Sequence, residues 1–139
     1  MTSRDPNAVL TDDEFIARFE AHALEAFAHR DHVRLAFAYA RRGGVPAAIE
    51  GARRIRGFAE AMGATRKYHD TITVGWARVV GRLAADCAPL PFDAFLDAHP
   101  ELMRRDLLGA HYSGAVLFSE AARAAFVEPD LLPLPHAGG

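Results

Sequence analysis

The chain has 139 residues, 50% apolar and 24% charged, with a net charge of −2. These totals fit one globular domain with a real core, and nothing in them favours binding to nucleic acid or to an anionic membrane. The single cysteine, Cys87, excludes an intramolecular disulfide and a cysteine-based metal cluster, and it reads as a small buried hydrophobe near a helix end. No apolar run reaches the ~18 residues of a membrane span, and Met1-Thr2-Ser3-Arg4-Asp5-Pro6 lacks the apolar core of a signal peptide. The expectation is a cytoplasmic, soluble protein. Fifteen of the sixteen basic residues are arginine, which reads first as composition bias.

Residues 1–10 look like a loose leader. Thr11-Asp12-Asp13-Glu14 has the spacing of a capping box, followed by a short apolar stripe of Phe15, Ile16, Phe19 and Leu24. A second helix is expected from His29 to Arg42, stopped by Gly43-Gly44. It is apolar from Val33 to Ala40 except for Arg34, so it should be surrounded on most sides. Pro46 suits the first turn of a third helix, whose stripe of Ile49, Ala52, Ile55, Phe58, Ala59 and Met62 runs to Gly63. Thr65 can cap a fourth, extending to about Ala85, with His69, Ile72, Thr73, Trp76, Val79, Val80 and Leu83 on one face. Pro89 and Pro91 break the chain.

A short helix then carries Phe92, Phe95 and Leu96 and ends at His99-Pro100. Another is expected over Glu101 to Gly109, and Ser119 caps a last one through Phe126. The tail over 127–139 has too many prolines for a helix. Its leucines imply packing on its own domain or on a neighbouring subunit, hence homo-oligomer formation through the tail. No strand pattern, repeat or low-complexity segment is seen. The fold class is all-α, a single helical bundle of about five to seven helices with an extended Pro-rich tail.

Seven histidines stand out. His22 lies near a helix end, His99 precedes a proline, His136 is in the tail, and His111 is undecided. His29 and His32 are three apart, so they share a helix face, and His69 opens a second apolar helix. As ordinary core residues they would bond to backbone or to Asp31 and Asp70. Burying three imidazoles together is costly unless their nitrogens are satisfied, and a metal ion does that well. Three histidines with an open fourth position match a catalytic site. Imidazole suits zinc, copper, nickel or iron, and copper(II) wins on intrinsic affinity. There is no paired Glu-x-x-His pattern, which disfavours a di-iron oxygenase. Asp31 and Asp70 adjoin histidines in sequence and read as partners of the first turn or of the ligands. Thr73, Tyr68 and Tyr112 are further groups for proton work.

The residues Phe27-x-His29-x-Asp31-His32-x-Arg34-Leu35-Ala36, Lys67-Tyr68-His69-x-Thr71-x-Thr73, Tyr112-Ser113 and Phe126-Val127-Glu128-Pro129-Asp130-Leu131-x-Pro133-Leu134-Pro135 resemble a widespread family of small bacterial helical proteins. The resemblance covers nearly the whole chain. That family is in turn similar to copper-dependent aliphatic nitrile hydratases, which implies a histidine-bound copper ion at His29, His32 and His69 and hydration of a nitrile to an amide. Gly114, after Tyr112-Ser113, departs from the pattern, which has a charged residue there; this bears on the polarity of the pocket.

The expected function is therefore a small metal-dependent enzyme using Lewis-acid hydration of a small-molecule substrate, with one transition-metal ion, copper favoured over zinc. Tyr68, Tyr112, Asp31, Asp70 and Thr73 are its candidate catalytic groups. The alternative is a non-catalytic helical module that binds a metal or small ligand. Nucleic-acid binding through Arg41, Arg42, Arg53, Arg54 and Arg56 finds no aromatic interleaving to support it, and neither it nor a membrane role is expected.

Overall fold

Thr11 opens the first helix by reciprocal capping. Its hydroxyl accepts the Glu14 amide at 3.1 Å, and the Glu14 carboxylate accepts the Thr11 amide at 2.8 Å. The structure is a computed structural model that describes residues 6–135. Its helices are α1 (Asp12–Glu20), α2 (His29–Arg53), α3 (Ile55–Ala61), α4 (Asp70–Asp86), α5 (Phe92–Ala98), α6 (Gly114–Leu117) and α7 (Glu120–Ala124). Short 3-10 turns stand at Thr65–Lys67, Pro100–Met103 and Leu107–Ala110, and no strand occurs among the described residues. The fold is all-α, as the apolar periodicity predicts. No helix among the described residues is long and apolar enough to cross a membrane.

Helices α2 and α4 make the central pair. The long α2 is broken at Gly43-Gly44, where Gly44 takes φ 74°, a left-handed conformation that glycine adopts at no steric cost. The sequence places a helix stop at the same glycines. Pro46 then sits in the first turn of the second half, where its missing N–H costs nothing. The break folds the halves together: the Tyr39 ring lies against Gly51, although the two would be about 18 Å apart along a straight helix. The second half meets α4 through small residues. A Cβ added at Gly81 would stand 3.0 Å from Ala48 Cβ and 3.4 Å from the Val45 Cα.

Helix α4 is covered on two sides. One side faces α2, and Trp76, Ala77 and Val80 are buried there with Ala48 and Ala52 in the core. The other is covered by residues 125–135, which run as an extended strap. Thr71 Oγ1 donates to Ala125 O at 3.2 Å and accepts the Val127 amide at 3.1 Å. The Arg78 guanidinium reaches Pro135 O at 2.5 Å and Glu128 at 3.3 Å, and lies over the Phe126 ring. Leu134 is buried, whereas Leu131 and Leu132 are exposed. The described part of the tail thus packs on its own domain. This second cover explains why Val74 and Arg78, off the expected stripe, are buried.

Several boundaries differ from the expectation. The leader is not loose over residues 6–10: Asn7 is buried and donates to Ala26 O and to Asp31, while the buried Arg34 holds Asn7 O and Leu10 O at 2.8 and 2.6 Å. The expected third helix is divided between α2 and α3, with a break at Arg54. Thr65 lies in a 3-10 turn and does not cap α4. The extended backbone at Tyr68 delays the helix, and His69 is its N-cap. Residues 101–109 form two separate turns because Leu102 and Leu108 are both buried. On one continuous helix those positions would point about 120° apart. Ser113 caps α6, an element the sequence reading does not contain. The expected leader over residues 1–5 and the tail end over 136–139, His136 among them, lie outside the described residues.

Gly51→Ala tests the fold of α2. The new Cβ would overlap the near carbons of the Tyr39 ring, which cannot swing clear without leaving the core. Alanine's helix propensity returns up to about 1 kcal/mol, and overpacking of this kind costs about 1–3 kcal/mol. The expected outcome is a lowered thermal midpoint; an unchanged or raised midpoint would show that the kink relaxes freely.

Candidate functional site

The starts of α2 and α4 bring His29, His32 and His69 to one cavity of about 440 Å³. Its wall is apolar, with Phe27, Ala36, Ala52, Ile55, Ile72, Trp76 and Ala77, and its remaining polar lining is Thr73, Lys67 and Arg105. Among the described residues no carboxylate lines it. Asp31 sets the first turn of α2 by accepting the Ala28 amide at 2.8 Å, which puts His29 and His32 on the pocket side one turn apart.

The three imidazoles differ in what the fold asks of them. His69 caps α4: Nδ1 accepts the Ile72 amide at 3.1 Å and Nε2 donates to Leu117 O at 2.7 Å, so both nitrogens are engaged. His29 donates from Nε2 to Leu102 O at 2.8 Å, with its ring edge-on to Trp76. In the neutral ring, this fixes the lone pair on Nδ1. A backbone carbonyl on the far nitrogen is the arrangement that orients metal-ligating histidines. His32 packs on Phe27 at 4.3 Å between ring centroids, and neither of its nitrogens has a hydrogen bond among the described residues. Burial, with His29 and the Arg105 guanidinium nearby, pushes its pKa down to about 4. Burial thus holds the half-buried His32 toward the neutral imidazole.

Among the described residues no three His, Cys, Asp or Glu side chains are grouped to hold an ion. The chemistry of the donors says why. Two imidazoles, His29 and His32, keep lone pairs that the fold does not use, whereas His69 spends both nitrogens on the backbone. The donors left over are two imidazoles at one cavity, and the three histidines do not fit a three-histidine centre unless the α4 cap opens.

Of the candidate catalytic residues, Thr73 lines the pocket. The other four are absent from its wall and are engaged elsewhere. Asp31 holds the α2 cap and Asn7. Asp70 is buried and accepts from Tyr68 Oη at 2.6 Å, Arg53 at 3.2 Å and the Phe126 amide at 2.9 Å. Burial alone would raise its pKa, but these bonds hold the carboxyl below its ordinary range. Burial and the bond to Asp70 push the Tyr68 phenol up, out of reach of proton exchange near neutrality. Tyr112 donates to Val127 O at 2.6 Å, and burial with Glu128 nearby pushes it up to about 12.

His111 contacts Leu132 O at 3.2 Å, and His99 packs on Phe95 beside Glu101, both away from the pocket. The sequence reading misses Lys67 and Arg105 as pocket residues. Lys67 is the first residue of the Lys67-Tyr68-His69 motif, but Arg105 lies between two short turns with no pattern to mark it.

The low pKa of His32 makes stability depend on pH. The unfolded chain takes up its proton near pH 6.5 and the folded one only near 4, so this contribution is complete above 6.5 and is lost as pH falls toward 4. In metal-free protein, a proton NMR titration should give a His32 midpoint near 4. His32→Gln should flatten the fall in thermal midpoint over that interval; a His32 midpoint near 6.5 would contradict the burial. The chain matches no family model, no curated protein and no solved structure.

Proposed function

We propose that the histidine pocket is the working site of a small metal-dependent enzyme that hydrates a small substrate, best read as a nitrile to an amide. The observation that carries this is the pair of imidazoles, His29 and His32, whose lone pairs the fold leaves over at the wall of one mostly apolar cavity. A low proton affinity at His32 suits a ligand, since a proton does not compete for it. Imidazole donors suit copper first and zinc second. Such an ion, when bound, supplies Lewis-acid polarisation of the nitrile and acidifies a water.

The chain's own residues do the rest. Ile55, Ile72 and Trp76 receive the apolar body and exclude bulk water. The Thr73 hydroxyl lines the pocket and can both accept and donate a hydrogen bond, so it orients the attacking water. Water oxygen bonds to the nitrile carbon, one proton passes to the nitrogen, and tautomerisation moves the second proton there to leave the amide. No electrons leave or enter, so no redox cofactor is needed. His69 serves as the α4 cap and pocket wall.

A second reading is a binding module without turnover, with or without a metal. It is favoured by the engagement of Asp31, Asp70, Tyr68 and Tyr112 in structural bonds, which leaves the pocket poor in proton donors. A panel of nitriles, amides and esters separates the two readings.

The expected result is one transition-metal ion per chain in untagged protein, measured by mass spectrometry. His29→Ala or His32→Ala should remove it, and His29→Ala should also lower the thermal midpoint because the Leu102 carbonyl loses its partner. His69→Ala should keep the ion and cost on the order of 1–3 kcal/mol, because the Ile72 amide and Leu117 carbonyl lose their partner. His99→Ala should change neither. No stoichiometric metal, with none taken up on reconstitution, removes the metal reading; full metal in His32→Ala removes that residue from it.

A further inference from the structure

The pocket's formal charges are two cations without partners. Lys67 and Arg105 both line it, both are exposed, and among the described residues neither side chain has an ion pair or a hydrogen bond. By contrast, Arg53 pairs with Asp70 at 3.2 Å and Arg104 with Asp106 at 3.5 Å. Apart from the three histidines and Thr73 the rest of the wall is apolar, and among the described residues no carboxylate lines it. A cationic rim over an apolar floor selects a ligand with one anionic group and a small apolar body.

We infer that the pocket takes small monocarboxylates, the carboxylate meeting Lys67 and Arg105 and the apolar body resting on Ile72 and Trp76. This rests on the pocket being the working site proposed above, and there it makes the substrate a nitrile that also bears a carboxylate. Arginine suits the planar carboxylate through paired N–H donors, and lysine adds a point charge.

Trp76, the chain's only tryptophan, lines the pocket and reports occupancy by fluorescence. The test titrates 3-phenylpropionate and its neutral isostere 3-phenylpropionamide into the protein as purified and after chelation. The acid should bind about tenfold or more tightly than the amide in both preparations, and salt should weaken the acid alone. Lys67→Gln with Arg105→Gln should bring the two ligands within about threefold at an unchanged thermal midpoint, since both side chains are exposed. The acid should also slow acylation of Lys67, the chain's only lysine, read by peptide mass spectrometry. Equal affinity for acid and amide overturns the inference, as does a preference that survives the double substitution. Preference for the acid in protein without metal or turnover keeps the inference and removes the hydration reading. Turnover of neutral nitriles with no preference for the acid does the reverse.

Discussion

The Asp70 carboxylate ties together three parts of the chain that are far apart in sequence. It takes a guanidinium from α2, a phenol from the residue before the α4 cap, and a backbone amide from the strap at Phe126. A buried carboxylate is costly unless its oxygens are filled, and here charged and neutral donors fill both. Because Tyr68 and Asp70 are fixed this way, His69 between them has no choice of orientation. Its ring turns to cap α4 and to meet Leu117. One wall of the pocket therefore follows from one ionised side chain behind it.

The same accounting sorts the residues that make up the chain's recurrent-looking motifs. Asp31 closes the first turn of α2, Arg34 gathers the leader's carbonyls over the Phe15 ring, and Tyr68 and Asp70 bond to each other. Thr71, Tyr112, Glu128 and Asp130 all serve to fasten the C-terminal segment, Asp130 by accepting the Ser113 amide at 2.8 Å. Each has a mechanical reason to be the residue it is. Among the described residues, the polar groups at the pocket that no side-chain hydrogen bond or ion pair engages include the His29 Nδ1, His32, Lys67 and Arg105.

The sequence carries the apolar stripes, the Thr11 capping box, the Gly43-Gly44 break and the grouping of His29 and His32 because those signals are local. Period 3.6, a four-residue cap and glycine's freedom at φ > 0 need no distant partner. What it does not carry depends on contacts across long separations. The role of Asp70 needs Arg53 and Phe126, and the burial of Arg78 needs the strap at Glu128 and Pro135. The distinction among the three histidines is of this kind too. A histidine at a helix start reads alike whether its nitrogens face a cavity or a carbonyl, and only Leu102 and Leu117, brought in from afar, separate His29 and His69 from His32. The late start of α4 has the same origin, because Tyr68 must stay extended to reach Asp70.

The electrostatics of the pocket bind its features into one problem. The N-terminal ends of α2 and α4 both open at it, each contributing a partial positive charge of about half a unit. Lys67 and Arg105 add to that field, while the carboxylates of Asp31 and Asp70 are turned to backbone amides and other partners and do not line the cavity. A proton on His32 is disfavoured first by burial and then by His29 and Arg105 nearby, so the imidazole keeps its lone pair. A bare divalent cation would meet the same opposition. An anionic group entering with it would cancel the repulsion, satisfy the two free cations, and leave the neutral histidines as donors. An ion and an anionic substrate would therefore each favour the other's binding at this site, a coupling that must be reciprocal in free energy.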